Sequence, residues 1–241
     1  MKYHYLMDLH THTLASVHAY STMTENAREA KKHGLQILGS SDHGYGMKQT
    51  TEKPFWMNLA ILPDYLEGVR LLRGVELNLG DEEGHVLEED LFACTDYRIM
   101  SLHSNCYRKS GRDGEYTRAI VRALDRYPDI TILGHPDDGQ FALDYEEVMA
   151  ACKRNHVAVE VNCASLQGHS YRKNSLENMK LYLEICKREE IPVIVESDAH
   201  MSTLVGDFGL ADDLLSMIDF PERLLVNSSW EKLEALMGRE L

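Results

Sequence analysis

The metal-competent side chains of this chain do not scatter; they close apolar runs. His10 and His12 stand in Asp8-Leu9-His10-Thr11-His12. With Tyr3 to Leu9 read as a strand, residues two apart leave it on the same side, so both imidazoles aim at one point past its end. The same punctuation returns in Ser41-Asp42-His43, Gly74-Val75-Glu76, Ser101-Leu102-His103, Gly134-His135-Pro136 and Ser197-Asp198-Ala199-His200. Together with His18 from a loop, these supply nine candidate ligands: His10, His12, His18, His43, Glu76, His103, His135, Asp198 and His200. Zinc, iron and manganese accept imidazole nitrogen and carboxylate oxygen, about four to six donors per ion. Nine donors exceed what one ion needs and suit two or three. Glu76, the only glutamate of the set, is the natural bridge between two of them. Clustered ions offer a metal-bound hydroxide near neutral pH and stabilise charge at both ends of an in-line displacement. That chemistry suits phosphate ester hydrolysis, in which positioning and charge neutralisation do most of the work.

Something must carry six distant stretches of backbone to one place. The apolar runs read as short buried strands: Tyr3–Leu9, Leu35–Gly39, Val69–Val75, Tyr97–Leu102, Ile130–Leu133, Val157–Val161 and Val193–Glu196. Between them lie helical patterns. Thr22-x-x-Glu25 has capping-box spacing, and Gly34 follows Lys31-Lys32-His33 as a helix stop would. Further helices are read over Tyr116–Arg126, Tyr145–Asn155 and Ser175–Glu189, with two short ones around Leu210–Ile218 and Trp230–Met237. Trp56–Tyr65 is ambiguous because Pro63 interrupts it, and the acidic run Gly80–Asp90 reads as a solvated insertion. Strand and helix alternate about seven times, which calls for parallel strands joined by helical crossovers. The candidate ligands follow the strands and never precede them. In a β/α barrel the carboxyl ends of the strands share one face, and function collects there.

Composition narrows the partners. A chain of 241 residues with 44% hydrophobic content buries a sizeable core, and one domain spanning 1–241 is ordinary for such a barrel. The formal net charge of −14 repels nucleic-acid phosphates and anionic membranes, so no long nucleic acid and no membrane partner is expected. Five cysteines (Cys94, Cys106, Cys152, Cys163, Cys186), none in a Cys-x-x-Cys pair, speak against a disulfide framework and for reduced thiols in a cytosol. No signal-peptide apolar region and no stretch of membrane-spanning length is present, and the reading is a soluble cytoplasmic protein.

The motifs Asp8-Leu9-His10-Thr11-His12-Thr13, Ser41-Asp42-His43-Gly44, Gly134-His135-Pro136 and Ser197-Asp198-Ala199-His200 carry a resemblance. So do Arg73-Gly74-Val75-Glu76 and Leu102-His103-Ser104 between them, and Asp219-Phe220-Pro221-Glu222-Arg223 beyond them. The chain resembles the PHP (polymerase and histidinol phosphatase) family over essentially its whole length, most closely its YcdX-like phosphatase branch. The resemblance implies an α/β fold, a distorted seven-stranded (β/α)7 barrel of TIM-barrel type, with a trinuclear site of zinc, manganese or iron at the C-terminal strand ends. By that pattern His10, His12, Glu76 and Asp198 hold one ion. Glu76 bridges to a second, held also by His103 and His135, and His18, His43 and His200 hold the third. Where the family's second motif commonly has threonine, this chain has Ser41, which keeps the hydroxyl. The implied activity is that of a hydrolase acting on phosphate monoesters of small metabolites, with Glu76, His103 and Asp198 as catalytic residues. Alternative activities are a histidinol-phosphate phosphatase, a nucleotide or oligonucleotide phosphoesterase, and a non-catalytic metal-binding protein. A homo-oligomer is compatible with all of them.

Other residues have plainer expectations. His4, His33, His85, His156 and His169 are read as surface or otherwise satisfied histidines. Asp8 and Asp42 either orient neighbouring imidazoles or serve as turn and cap residues. Arg172, Lys173 and Arg108, with Lys109 and Arg112, follow strands in loops and are candidates to meet the substrate phosphate. Phe55 and Trp56 are candidates for a pocket wall.

Overall fold

The computed structural model describes residues 1–241. Its strands, in chain order, are β1 (Met7–Asp8), β2 (Ile37–Ser40), β3 (Tyr65–Leu66), β4 (Val69–Asn78), β5 (Tyr97–Ser101), β6 (Ile132–Leu133), β7 (Ala158–Asn162) and β8 (Val193–Glu196). Seven of them pair in parallel in the order β1-β2-β4-β5-β6-β7-β8, while β3 lies antiparallel against the start of β4. The helices are α1 (Met23–Lys32), α2 (Lys53–Met57), α3 (Glu115–Arg126), α4 (Tyr145–Asn155), α5 (Cys163–Leu166), α6 (Ser175–Glu189), α7 (Gly209–Met217) and α8 (Trp230–Met237). Each parallel neighbour follows its predecessor in sequence, so the sheet curls into a nearly closed β/α barrel.

The seam lies between β1 and β8. Towards the carboxyl ends, Thr11 and Ala199 form a parallel bridge, with the His12 amide donating to Ala199 O at 2.9 Å. Lower down, the Asn227 side chain stands in for a missing ladder. Its Nδ2 donates to Met7 O (3.0 Å) and Val195 O (2.7 Å), and its Oδ1 accepts from the Val195 amide (2.7 Å). These backbone groups are buried, so leaving them unpaired would cost stability. Inside the barrel Met7, Leu9, Ile37, Leu72, Ile99 and Ile194 pack together, and Leu233 of α8 closes the bottom. Tyr97 crosses this interior and donates from its hydroxyl to Leu9 O. Gly39 and Gly74 make room for it, because a Cβ at either would overlap the Tyr97 ring or hydroxyl. A larger cluster lies between the strands and the surrounding helices.

Local chemistry accounts for most boundaries. The α1 capping box forms as its spacing requires, with the Thr22 hydroxyl accepting from the Glu25 amide and the Glu25 carboxylate from the Thr22 amide. Two strand readings need correction. The first strand shrinks to Met7–Asp8 because the amides of Lys2 and Tyr3 are taken by the Asp212 carboxylate of α7 rather than by a neighbouring strand. The third continues to Asn78, since its first half pairs with β2 and its second half with β5. Glu76 therefore lies inside a strand, two residues before its end.

The run Gly80–Asp90 is not a solvated insertion. Val86 bridges back to Leu79, and Glu88, fully buried, accepts from the Asn78 amide (3.0 Å), Asn78 Nδ2 (2.6 Å) and the Gly46 amide (2.8 Å). Trp56 does not wall a substrate pocket. It is buried against Leu59, Val75, Leu77 and Leu91, with its indole N–H on Thr51 Oγ1 at 2.8 Å. The five cysteines are free thiols, and no helix is long and apolar enough to cross a membrane.

Candidate metal centre

At the carboxyl end of the barrel the nine side chains named from the sequence converge. Glu76 is their hub. Its Oε1 lies 2.9 Å from His135 Nε2 and 3.2 Å from His103 Nε2. Its Oε2 lies 2.5 Å from His43 Nδ1, 3.5 Å from His10 Nε2 and 3.6 Å from His12 Nε2. The two oxygens of one carboxylate thus face two different sets of imidazoles. Asp198 is the second hub, with Oδ1 at 3.2 Å from His12 Nε2, 3.5 Å from His200 Nδ1 and 3.6 Å from His10 Nε2. His18, from the loop after β1, completes the far side: its Nε2 lies 3.2 Å from His43 Nε2, and its ring stacks 4.8 Å from that of His200.

The backbone is bent to present these groups. Asp198 (φ 51°) and His135 (φ 26°) both have positive φ two residues after their strands end. For non-glycine residues such conformations cost on the order of 1–3 kcal/mol and persist only where the surroundings enforce them. A turn into this region swings the side chain off the strand axis and over the barrel mouth.

Buried partners hold the imidazoles in register. His10 Nδ1 meets Glu160 Oε1 at 2.6 Å, which leaves Nε2 facing the cluster, and Glu160 Oε2 accepts from the His135 amide. His103 Nδ1 meets Asn78 Oδ1 at 2.8 Å, so its Nε2 faces Glu76. His12 Nδ1 lies 3.2 Å from Ser16 Oγ, and that hydroxyl donates to Asp42 Oδ1 at 2.6 Å. Asp42 touches no imidazole itself; it also accepts from the Thr13 amide and hydroxyl and shapes the loop. Asp8, at the end of β1, accepts from the amides of Ser197 and Gly206, so it ties the segment after β8 to the first strand and is neither an imidazole partner nor a turn residue. Glu196 accepts from the amides of Leu9 (2.5 Å) and His10 (3.2 Å) across the seam.

Glu160, Glu196 and Asn78 are the residues that sequence reading missed. Their signal was there to find: a polar or charged side chain inside an otherwise apolar, fully buried strand must have a partner.

Charge follows from this packing. Burial alone would raise the Glu76 carboxyl, but His43, His103 and His10 around it hold it well below the usual range. Asp198 behaves likewise, with His10 and Arg172 as the leading opponents of burial. Burial pushes His103 down to about 4 and, with His200 and His43 beside it, pushes His12 well down. His10 goes the other way, because Glu160, Asp198 and Glu76 outweigh its burial. Two ionised carboxylates thus sit beside a charged His10 and the neutral imidazoles of His12 and His103.

His10 Nε2, His12 Nε2, His43 Nδ1 and Glu76 Oε2 are all buried without a hydrogen-bond partner, and they point at one another. Groups of three with mutually close donor atoms are His12, His43 and His200; His10, His12 and Glu76; and His43, Glu76 and His103. Imidazole nitrogens and a carboxylate oxygen left unpaired beside one another are what a bound cation satisfies, and this donor set fits divalent metals.

The candidate phosphate contacts separate. Arg172 lines the cleft over the cluster but is committed: its Nη2 donates to Asp198 Oδ2 at 2.9 Å, and its Nη1 to Asn162 Oδ1 (3.0 Å) and Ser165 Oγ (3.1 Å). By occupying Oδ2, Arg172 leaves Asp198 Oδ1 for the imidazoles. Arg108 points away and is paired at 3.2 Å with Asp81, while Lys173 contributes no side chain to the cleft lining. His169, expected to be a plain surface residue, does line it. The cleft has a volume of about 530 Å³, suited to a small ligand.

Fold and site together define an α/β-barrel protein with a His/Glu/Asp metal-binding cluster at the strand ends. Comparison with known proteins takes this further. A probable phosphatase of a Thermoanaerobacter species is 39% identical over 230 residues, which cover 95% of this chain and 93% of the relative. A probable phosphatase of Acetivibrio thermocellus is 36% identical over 239 residues, covering 98% and 96%. The chain belongs to this family of probable phosphatases. No family model matches it. Among solved structures, the histidinol phosphate phosphatase of Lactococcus lactis, complexed with zinc, L-histidinol and phosphate, superposes with a TM-score of 0.59 at 15% identity. That match covers 86% of this chain and 93% of the other, a likeness of fold.

Proposed function

We propose that the protein is a metal-dependent phosphomonoesterase of the PHP type, acting on a small phosphorylated metabolite at a site for three divalent ions. One observation carries the reading. Glu76 directs Oε1 to His103 and His135 and Oε2 to His43, His10 and His12, the arrangement of a bridging carboxylate. In this reading His10, His12, Glu76 and Asp198 would hold one ion, Glu76, His103 and His135 a second, and His18, His43 and His200 a third. Bound divalent ions supply positive charge against the phosphoryl oxygens and make a water acidic enough to attack near neutral pH.

The chain's own residues do the rest. Glu160, Asn78 and Ser16 fix the imidazoles, so the donor atoms need no reorganisation when substrate arrives. Arg172 and Asn162 hold Asp198 Oδ2 and so settle which oxygen faces the cluster. The cleft, about 530 Å³ in volume, is of a size for a small ester. The names of the relatives and the zinc and phosphate of the structural neighbour support the same activity.

The test is hydrolysis of p-nitrophenyl phosphate by purified protein supplied with Mn²⁺ or Zn²⁺. Turnover is expected with metal, to vanish on chelation, and to be abolished in folded Glu76→Ala and His103→Ala variants. No turnover with any divalent ion, or full activity in Glu76→Ala, overturns the reading.

A further inference from the structure

The walls of the cleft above the donor cluster hold information about the part of the substrate that is not phosphate. The lining of the cleft includes the apolar Met47, Leu102 and Phe141 and the uncharged polar Asn105, Gln140 and Tyr171, the last three exposed. The only lysine or arginine lining the cleft is Arg172, whose guanidinium is already bound to Asp198, Asn162 and Ser165.

The remaining fixed charge of the wall is negative. Asp138, 4% exposed, is held by the Gln140 amide (3.0 Å), Gln140 Nε2 (3.1 Å) and the Lys173 amide (3.4 Å). No basic side chain pairs with it. The basic residues of the neighbouring loop are directed elsewhere: Arg108 is paired with Asp81, and Arg112 and Arg118 with Glu82.

Away from the donor cluster, an anionic group entering such a wall loses its hydration, meets a carboxylate and finds no free lysine or arginine in return. The net charge of −14 adds a repulsive field at longer range. Resting on the phosphatase reading above, we infer that the substrate carries one phosphoryl group and no second anion. Its alcohol portion is an uncharged hydroxylated or ammonium-bearing group seated against Asn105, Gln140 and Asp138. Bisphosphates and phosphorylated carboxylic acids are rejected by the wall rather than by size.

Pairs that differ by one anionic group test this, the first of them also matched in bulk. Values of kcat/KM are measured for glycerol phosphate against phosphoglycerate, and for a hexose monophosphate against the corresponding bisphosphate, with p-nitrophenyl phosphate as a common control. The singly anionic member of each pair is expected to be favoured by roughly tenfold or more, and an Asn105→Lys variant to narrow that ratio. Equal or better use of phosphoglycerate and the bisphosphate, while p-nitrophenyl phosphate is still hydrolysed, overturns this inference and leaves the phosphatase reading standing. A ratio unmoved in Asn105→Lys places the discrimination outside this wall and overturns it as well. Failure to hydrolyse any of the esters, the control included, removes the phosphatase reading and this inference with it.

Discussion

Glu160 makes no contact with the space where ions would sit, yet it sets the geometry of two residues that do. Its Oε1 takes His10 Nδ1 and its Oε2 takes the His135 amide, so one buried carboxylate ties the first strand's imidazole to the fifth parallel strand's turn. Replacing it by glutamine keeps the volume but turns an N–H₂ towards a group that is itself a donor. Glu160→Gln is expected to weaken metal binding by roughly 10–100-fold with little change in secondary structure. Competition titration against a chromophoric chelator reads this, and unchanged affinity would mean that His10 and His135 are positioned by the backbone alone. Arg172 teaches a related lesson. A basic residue in a loop facing the site reads naturally as a phosphate contact, but here the nearest unscreened anion is a carboxylate of the protein itself, and the guanidinium goes there first.

At the scale of elements, β4 and the segment after it form one unit. The strand carries Glu76 and Asn78 on the same face, and the chain folds back so that Glu88 accepts from both donors of Asn78. Burial pushes the Glu88 carboxyl up to about 7. Between about pH 4.5 and pH 7 the folded protein therefore keeps a proton that the unfolded chain has lost, and stability falls as pH rises through that window. Glu88→Gln cannot ionise. Denaturant midpoints of the metal-free proteins are expected to shift in favour of the variant between about pH 5 and about pH 8. A difference between variant and parent that does not change with pH would show that Glu88 stays ionised throughout. The acidic composition of residues 80–90 suggested solvent exposure because composition does not register a turn that folds a strand's own continuation back over its end.

Taken whole, the molecule gathers His, Glu and Asp donors at the barrel mouth and leaves several close to one another without hydrogen-bond partners. That arrangement stabilises the folded state only when cations fill it, since the unfolded chain offers no such site. Added Mn²⁺ or Zn²⁺ at about a hundred times the dissociation constant should contribute about 2.7 kcal/mol, which for a chain of this size raises the unfolding temperature by roughly 5–10 °C. Scanning calorimetry with and without chelator measures it; a transition indifferent to every divalent ion tried would sink the metal reading altogether.

Much of this molecule is legible in its residues taken in order. The parallel strand–helix alternation shows because buried strands are apolar runs of a few residues and their helices carry caps and amphipathic faces, as the Thr22/Glu25 box does. The set of strand-end donors shows because a polar residue closing each apolar run is conspicuous. What the linear order does not contain is any distance between residues from different runs. Only the closed sheet decides that the two oxygens of Glu76 serve different imidazoles, that Glu160 reaches both His10 and His135, that Trp56 turns into the core, and that Arg172 is spent on Asp198. Each of those outcomes depends on which side chain arrives nearest once the barrel has shut, and shutting it is the cooperative work of all seven strands together.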